Sequence, residues 1–174
     1  ISFDTIQNMY LKFLNTTQAL NAIAVISIIK ELKLDIENAL KALSYSKPLA
    51  GRGEKIVFNF NNTKKTLIID ESYNANPASM NASLNDFYKT KNRLKNYKTV
   101  LIIGDMLELG EQSEELHLNL IPIIKKINPT LLITLGVYSK NITNKLNSNI
   151  NCNTYSTIDV LLKDIKNIFK PGQL

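Results

Sequence analysis

The spacing of apolar positions changes character partway along the chain. Residues 1–14 read as strand-like, the edge or tail of something larger. From Ala19 the run ALNAIAVISIIKELKL is apolar round most of a helix, with Thr16 or Thr17 as N-cap, and such a helix is expected to be buried on most sides. Asp35 is placed to cap a second helix, IENALKAL, with Glu37 in its first turn. The stretch SYSKPLAGRGE then brings Pro48, Gly51 and Gly53 within six residues, the strongest linker or hinge signal in the chain.

Beyond that hinge, strand and helix patterns alternate. KIVFNF and KTLIID flank Asn61-Asn62-Thr63-Lys64 as a hairpin-like pair. Asn76 and Pro77 have the residue types of an N-cap and first helical position, with Asn74 free to form an Asx-turn before them. TVLIIG (99–104) predicts a strand and residues 112–127 a helix. LLITLG (131–136) is the next strand, followed by a helix near 138–146. INCNTY, a weaker strand, leads to a helix over 157–169. Continuous apolar strands between helices predict an α/β fold whose sheet is mostly parallel and covered on both faces. The tail KPGQL stops where one more strand is expected, and the absence of an initial Met suggests a piece of a longer chain.

Composition narrows the function classes. At 44% hydrophobic and 21% charged, the 174 residues fit a soluble globular protein. The longest apolar run, Ala22–Ile29, is interrupted by Ser27 and falls well short of a membrane span. ISFDTIQNMY lacks a basic start and an apolar stretch, so no secretory leader is expected. Cys152 is the only cysteine, which excludes disulfides within the chain and cysteine-rich zinc sites and fits a reducing, cytoplasmic location. The net charge of +6 does not point to nucleic acid: the lysines are dispersed, and only Arg52 and Arg93 are arginines among 21 basic residues. Neither nucleic acid nor membrane is expected as a partner.

Ligands of open α/β sheets bind beyond the carboxyl ends of the strands, and two strand ends here are chemically loaded. TLIIDESYNANPASM (66–80) runs an apolar strand into Asp70 and Glu71, then Tyr73, Asn74 and Asn76. Helix capping accounts for Asn76 and Pro77. It does not account for paired acids beside Tyr73, and a carboxylate at a strand end suits ribose hydroxyls. GDMLELGEQSEELH (104–117) places Asp105 and Glu108 after the next strand. Glu114 and Glu115 suit the first turn of a helix, and His117, the only histidine, reads as packed or solvated rather than as a ligand. Asp105 and Glu108 have no third ligand at helical spacing, so no metal site is expected. Gly-Arg-Gly at 51–53 is too short for a phosphate loop. Arg52 is either a plain linker charge or a fork-shaped donor for a nucleotide phosphate.

Taken together, ALNAIAV, PLAGRGE, IDESYNANPASM and LIIGDMLELGEQSEELH resemble the Mur ligases of peptidoglycan synthesis. The resemblance covers nearly the whole chain, and the runs SYNANPASM and GDMLELGE are most similar to the branch that adds D-alanyl-D-alanine. It implies a three-domain enzyme: a UDP-sugar domain, a central P-loop ATPase and a Rossmann-like C-terminal domain that closes over ATP. Residues 1–48 then correspond to the end of the central domain, a strand and helical remnant, 49–53 to the hinge, and 54–174 to the C-terminal domain without its last strand.

Several roles follow from the resemblance alone. Asn21 matches an asparagine near the adenine, and Arg52 the linker arginine that approaches ATP phosphate, the one catalytic residue implied here. Asp70 or Glu71 matches the acid at the ribose. Tyr73, Asn74, Asn76, Asp105 and Glu108 match the side that receives the dipeptide. Where the family commonly has His-Asn before the position of Asn21, Thr17 and Gln18 stand here. Implied partners are ATP, D-alanyl-D-alanine and, through other domains, UDP-N-acetylmuramoyl-tripeptide. The Mg²⁺ ligands are expected outside this chain. The implied reaction forms an acyl phosphate on the tripeptide, which the dipeptide amine then attacks. The chain is expected to be a monomer and inactive by itself. Two alternatives remain open: a sibling Mur or folylpolyglutamate-type ligase, and a non-catalytic nucleotide-binding or interaction remnant.

Overall fold

The computed structural model describes residues 16–60, 64–94, 97–146 and 150–169. The strand expected over 1–14, the turn at Asn61–Thr63 and the tail 170–174 lie outside the described residues. The chain divides into two compact units, Ile1–Phe58 with Leu67–Tyr73, and Asn59–Thr66 with Asn74–Leu174.

In the first unit, α1 (Thr16–Glu31) packs against α2 (Ile36–Tyr45). α1 ends three residues before the apolar pattern does. Lys33 adopts a left-handed conformation at φ 55°, and the N–H groups of Lys33 and Leu34 donate to the carbonyls of Lys30 and Ile29. That pair of bonds closes a Schellman motif and stops the helix. Asp35 caps α2 as its position predicts: Oδ1 accepts the Asn38 N–H at 3.0 Å and Oδ2 accepts Asn38 Nδ2 at 2.8 Å. The expected burial of α1 is corrected. Ala22 is its only buried residue, and Leu20, Ile28 and the adjoining Leu32 are each about 60% exposed. A helix apolar on every side needs neighbours on every side, and α2 covers only one. β1 (Glu54–Phe60) and β2 (Lys64–Asp70) pair as the hairpin pattern predicts, in a two-stranded sheet whose residues fall in both units.

The second unit is built on three parallel strands, β3 (Val100–Gly104), β4 (Leu131–Leu135) and β5 (Asn151–Tyr155), in the order β3-β4-β5. Its helices are α3 (Pro77–Arg93), α4 (Ser113–Leu118), α5 (Ile121–Ile127), α6 (Ser139–Lys145) and α7 (Ile158–Ile168). Period-two alternation sends Leu101, Ile103 and Leu132 into one core with Met106, Leu120, Ile124, Ile127 and Ile142. Ile133 and Tyr155 face the other way, against Leu161 of α7. This second face is covered over β4 and β5 but open at β3, where Ile102 is 52% exposed.

The single helix expected over 112–127 is instead a short 3₁₀ turn, Gly110–Gln112, followed by α4 and α5. Pro122 lies in the first turn of α5 and could not continue a helix from α4, because it lacks an N–H and its ring crowds the preceding turn. α3 and α5 are tied at their ends. Lys91 Nζ donates to the carbonyls of Ile127 and Asn128, which close α5 through a left-handed Asn128 at φ 47°.

Candidate functional site

At the end of β2, the hinge folds back on the strand. The Gly53 N–H donates to the Asp70 carbonyl at 2.8 Å and the Tyr73 N–H to the Gly51 carbonyl at 3.1 Å. Gly51 (φ 73°) and Gly53 (φ 82°) both have left-handed backbones. Gly51 is also sterically required: a Cβ there would lie 2.8 Å from Tyr73 N. Between the glycines, Arg52 places its guanidinium carbon 4.1 Å from the centroid of the Tyr73 ring. Its peptide is held from a third side, because Gln18 Nε2 of α1 donates to the Arg52 carbonyl at 3.0 Å.

Asp70 Oδ1 accepts the Ser72 N–H at 3.0 Å, so the Asx-turn at this strand end belongs to Asp70. The Asx-turn expected at Asn74 does not form. Asn74 Oδ1 accepts instead from the next residue, Ala75, at 2.9 Å. Asp70 and Glu71 are half-buried, whereas Arg52, Tyr73 and Asn21 are exposed, Asn21 in the second turn of α1. In the other unit, Asn76 starts α3 through a full capping box: its Oδ1 accepts the Ser79 N–H at 2.9 Å, and Ser79 Oγ accepts the Asn76 N–H at 3.1 Å.

Asp105 sits past the end of β3, where its carboxylate spans to the start of α6. Oδ2 accepts the N–H groups of Val137 (2.8 Å) and Tyr138 (3.2 Å), and Oδ1 accepts that of Ser139 (2.7 Å). Burial alone would raise the pKa of this carboxyl. The three backbone donors outweigh burial and hold it below the usual carboxylate range. Gly136 makes room for the arrangement: a Cβ there would lie 2.3 Å from Asp105 Cγ. Glu108, by contrast, is exposed on a left-handed backbone at φ 61°.

His117 is fully buried, as its packed reading predicts. Nε2 accepts the Met106 N–H at 2.8 Å, so the proton is on Nδ1, which donates to the Ser113 carbonyl at 2.6 Å. Its ring stacks on Tyr138 with centroids 5.5 Å apart. Asp105 and His117 together pin the loop after β3 to α4 and α6. Among the described residues no group of three or more His, Cys, Asp or Glu could hold a metal ion, and no helix is long and apolar enough to cross a membrane.

The structure thus brings Arg52, Asp70 and Tyr73 into one cluster, with Asp105 set in a separate cap in the other unit. Sequence reasoning treated Gln18 only as a departure from a pattern. Its partner is 34 residues away, and no local signal reports it. Tyr138 and Ser139 were missed for the same reason, since Asp105 reaches them across the sheet edge.

Residues 51–174 match the family model described as Mur ligase, glutamate ligase domain. The chain is 33% identical over 154 residues to a UDP-N-acetylmuramoyl-tripeptide–D-alanyl-D-alanine ligase of Rickettsia prowazekii, an alignment covering 88% of this chain and 32% of that protein. The enzyme of the same name from Bacillus subtilis is 34% identical over 110 residues, covering 62% of this chain and 22% of its own. The chain therefore spans a third or less of the length of these relatives. A crystal structure of MurF from Acinetobacter baumannii superposes on 93% of this chain and 34% of its own, with a TM-score of 0.72 at 23% identity. MurF ligase from Thermotoga maritima, solved in complex with ADP, superposes on 92% of this chain and 34% of its own, with a TM-score of 0.63 at 24% identity. These two show the fold. The family match covers well over half of the chain, so the chain belongs to the Mur ligase family.

Proposed function

We propose that this chain is part of an ATP-dependent ligase that joins D-alanyl-D-alanine to UDP-N-acetylmuramoyl-tripeptide in peptidoglycan synthesis. In this reading, residues 1–48 close the central ATPase domain, 49–53 form the hinge and 54–174 the C-terminal domain. The observation that carries it is the Arg52 cluster. The Arg52 guanidinium carbon sits over the Tyr73 ring, 4.1 Å from its centroid, and its fork of N–H donors suits a phosphate. The Rickettsia and Bacillus relatives support the substrate assignment by their names, and the ADP complex of the Thermotoga protein supports the nucleotide.

Arg52 then binds the phosphate chain of ATP, with Asn21 toward the adenine and Asp70 or Glu71 toward the ribose. ATP supplies the phosphoryl group that activates the tripeptide carboxylate. Asn74, Asn76 and Glu108 face the dipeptide, and Asp105 acts on that side by fixing the start of α6. The Mg²⁺ ligands belong to residues outside this chain, and the enzyme works in the cytoplasm as a monomer.

The test is phosphate release from ATP in the presence of tripeptide substrate and D-alanyl-D-alanine. The longer protein carrying this chain should turn over, and Arg52→Ala should lower its kcat by about 10²-fold, the effect of losing one preorganised donor. The 174-residue chain alone should release nothing above background. Turnover by the isolated chain at an enzyme's rate, or no turnover of this dipeptide by the longer protein, overturns the reading.

A further inference from the structure

We propose that Gln18 and Tyr73 are positioning residues for Arg52, together aiming its guanidinium at an anionic phosphate. The inference rests on the ligase reading for the identity of that anion, but the aiming device stands on geometry within one unit. An arginine on a glycine-flanked hinge has free rotation at its own backbone and four more bonds in its side chain. Left alone, it would sample many directions and lose entropy whenever it engaged a ligand.

Here each freedom is removed by a separate contact. The backbone is held on one side by Gly53 N–H to the Asp70 carbonyl and by Tyr73 N–H to the Gly51 carbonyl. On the other side, Gln18 Nε2 holds the Arg52 carbonyl itself at 3.0 Å. The side chain is held by the Tyr73 ring, 4.1 Å below the guanidinium. The ring attracts the cation through its electrons and offers no hydrogen-bond acceptor oxygen or nitrogen on its face, so the contact orients the fork and leaves its donors for a ligand. Tyr73 is 66% exposed and Arg52 is exposed as well, so the device faces solvent where a ligand can reach it. Tyr73 thereby acquires a role other than the dipeptide contact implied by the family resemblance: its ring face is already engaged by the cation. The Gln18 side chain spans from α1 to the hinge.

Two measurements test this, one for the device and one for its use. The chain contains no tryptophan, so Tyr73→Trp places a single tryptophan in the stack, one that can be excited apart from the tyrosines. With one ring face covered by Arg52, its collisional quenching by acrylamide should rise by about two- to three-fold on adding Arg52→Ala, with a smaller rise on adding Gln18→Ala. Quenching indifferent to Arg52→Ala overturns the stack, and quenching indifferent to Gln18→Ala overturns the role of Gln18.

In the longer protein, Tyr73→Ala and Gln18→Ala should each lower kcat/KM for ATP by about three- to ten-fold and leave KM for D-alanyl-D-alanine unchanged, while Tyr73→Phe, which keeps the ring, restores the rate. A rise in KM for the dipeptide alone makes Tyr73 a substrate contact and sinks its positioning role. Failure of the unsubstituted longer protein to use the dipeptide would remove the ligase reading, and the fluorescence of the chain would still decide the device.

Discussion

Asp105 shows how one side chain can look like a ligand group and serve the fold. A carboxylate at the end of a parallel strand is the expected place for substrate chemistry, yet both oxygens here accept the opening N–H groups of α6. Because its folded pKa is depressed, the unfolded chain takes up the proton first as pH falls. The stabilisation is therefore complete above the unfolded value of about 4 and is lost as pH drops through the lower folded value. Urea unfolding followed between pH 3 and 7 should show this acid limb in the native chain. In Asp105→Asn the limb should be weaker and stability at pH 7 lower by about 1–2 kcal/mol, the cost of trading a charged acceptor for a neutral one. An unchanged limb would mean that other carboxylates set it.

At the scale of elements, caps decide where helices begin and a proline decides where one must break. The reciprocal bonds of Asn76 and Ser79, with Pro77 at the next position, satisfy the start of α3 without any ligand. Asn76→Ala should destabilise the chain by about 1 kcal/mol, and Asn76→Ser or Asn76→Asp should recover most of it, read from the urea midpoint. If the midpoint does not move in Asn76→Ala, the capping box contributes nothing measurable and ligand contact becomes the sole reason for Asn76. The caps at Asp35 and Asn76 were legible because each bonds within three residues of itself. The break between α4 and α5 was not. The apolar period runs through it and masks the break, although Pro122 in the first turn of α5 is itself a local signal that a helix from α4 cannot pass.

Across the whole molecule, apolar surface is distributed unevenly. The second unit encloses two cores, whereas α1 leaves Leu20, Ile23, Val25 and Ile28 between about 40% and 60% exposed. Exposed apolar stripes of this kind bind other apolar matter. The 174-residue chain should therefore enhance the fluorescence of an apolar dye such as ANS while folded, and Leu20→Gln with Ile28→Gln should cut that signal by roughly half. Equal dye binding by the double variant would place the apolar surface elsewhere.

What the sequence determined by itself was encoded within a few residues: the alternation of strands and helices, the caps at Asp35 and Asn76, the glycine-flanked hinge, and the motifs that carry the family resemblance. Hydrophobic period and cap chemistry are local, so a linear reading captures them. Tertiary structure alone decided which polar groups meet. Gln18 reaches Arg52 over 34 residues, Asp105 reaches α6 over more than 30, and His117 accepts the Met106 N–H from a different element. It also decided that α1, apolar enough for any core, stays largely uncovered, because burial depends on neighbours and no residue's own pattern can supply them.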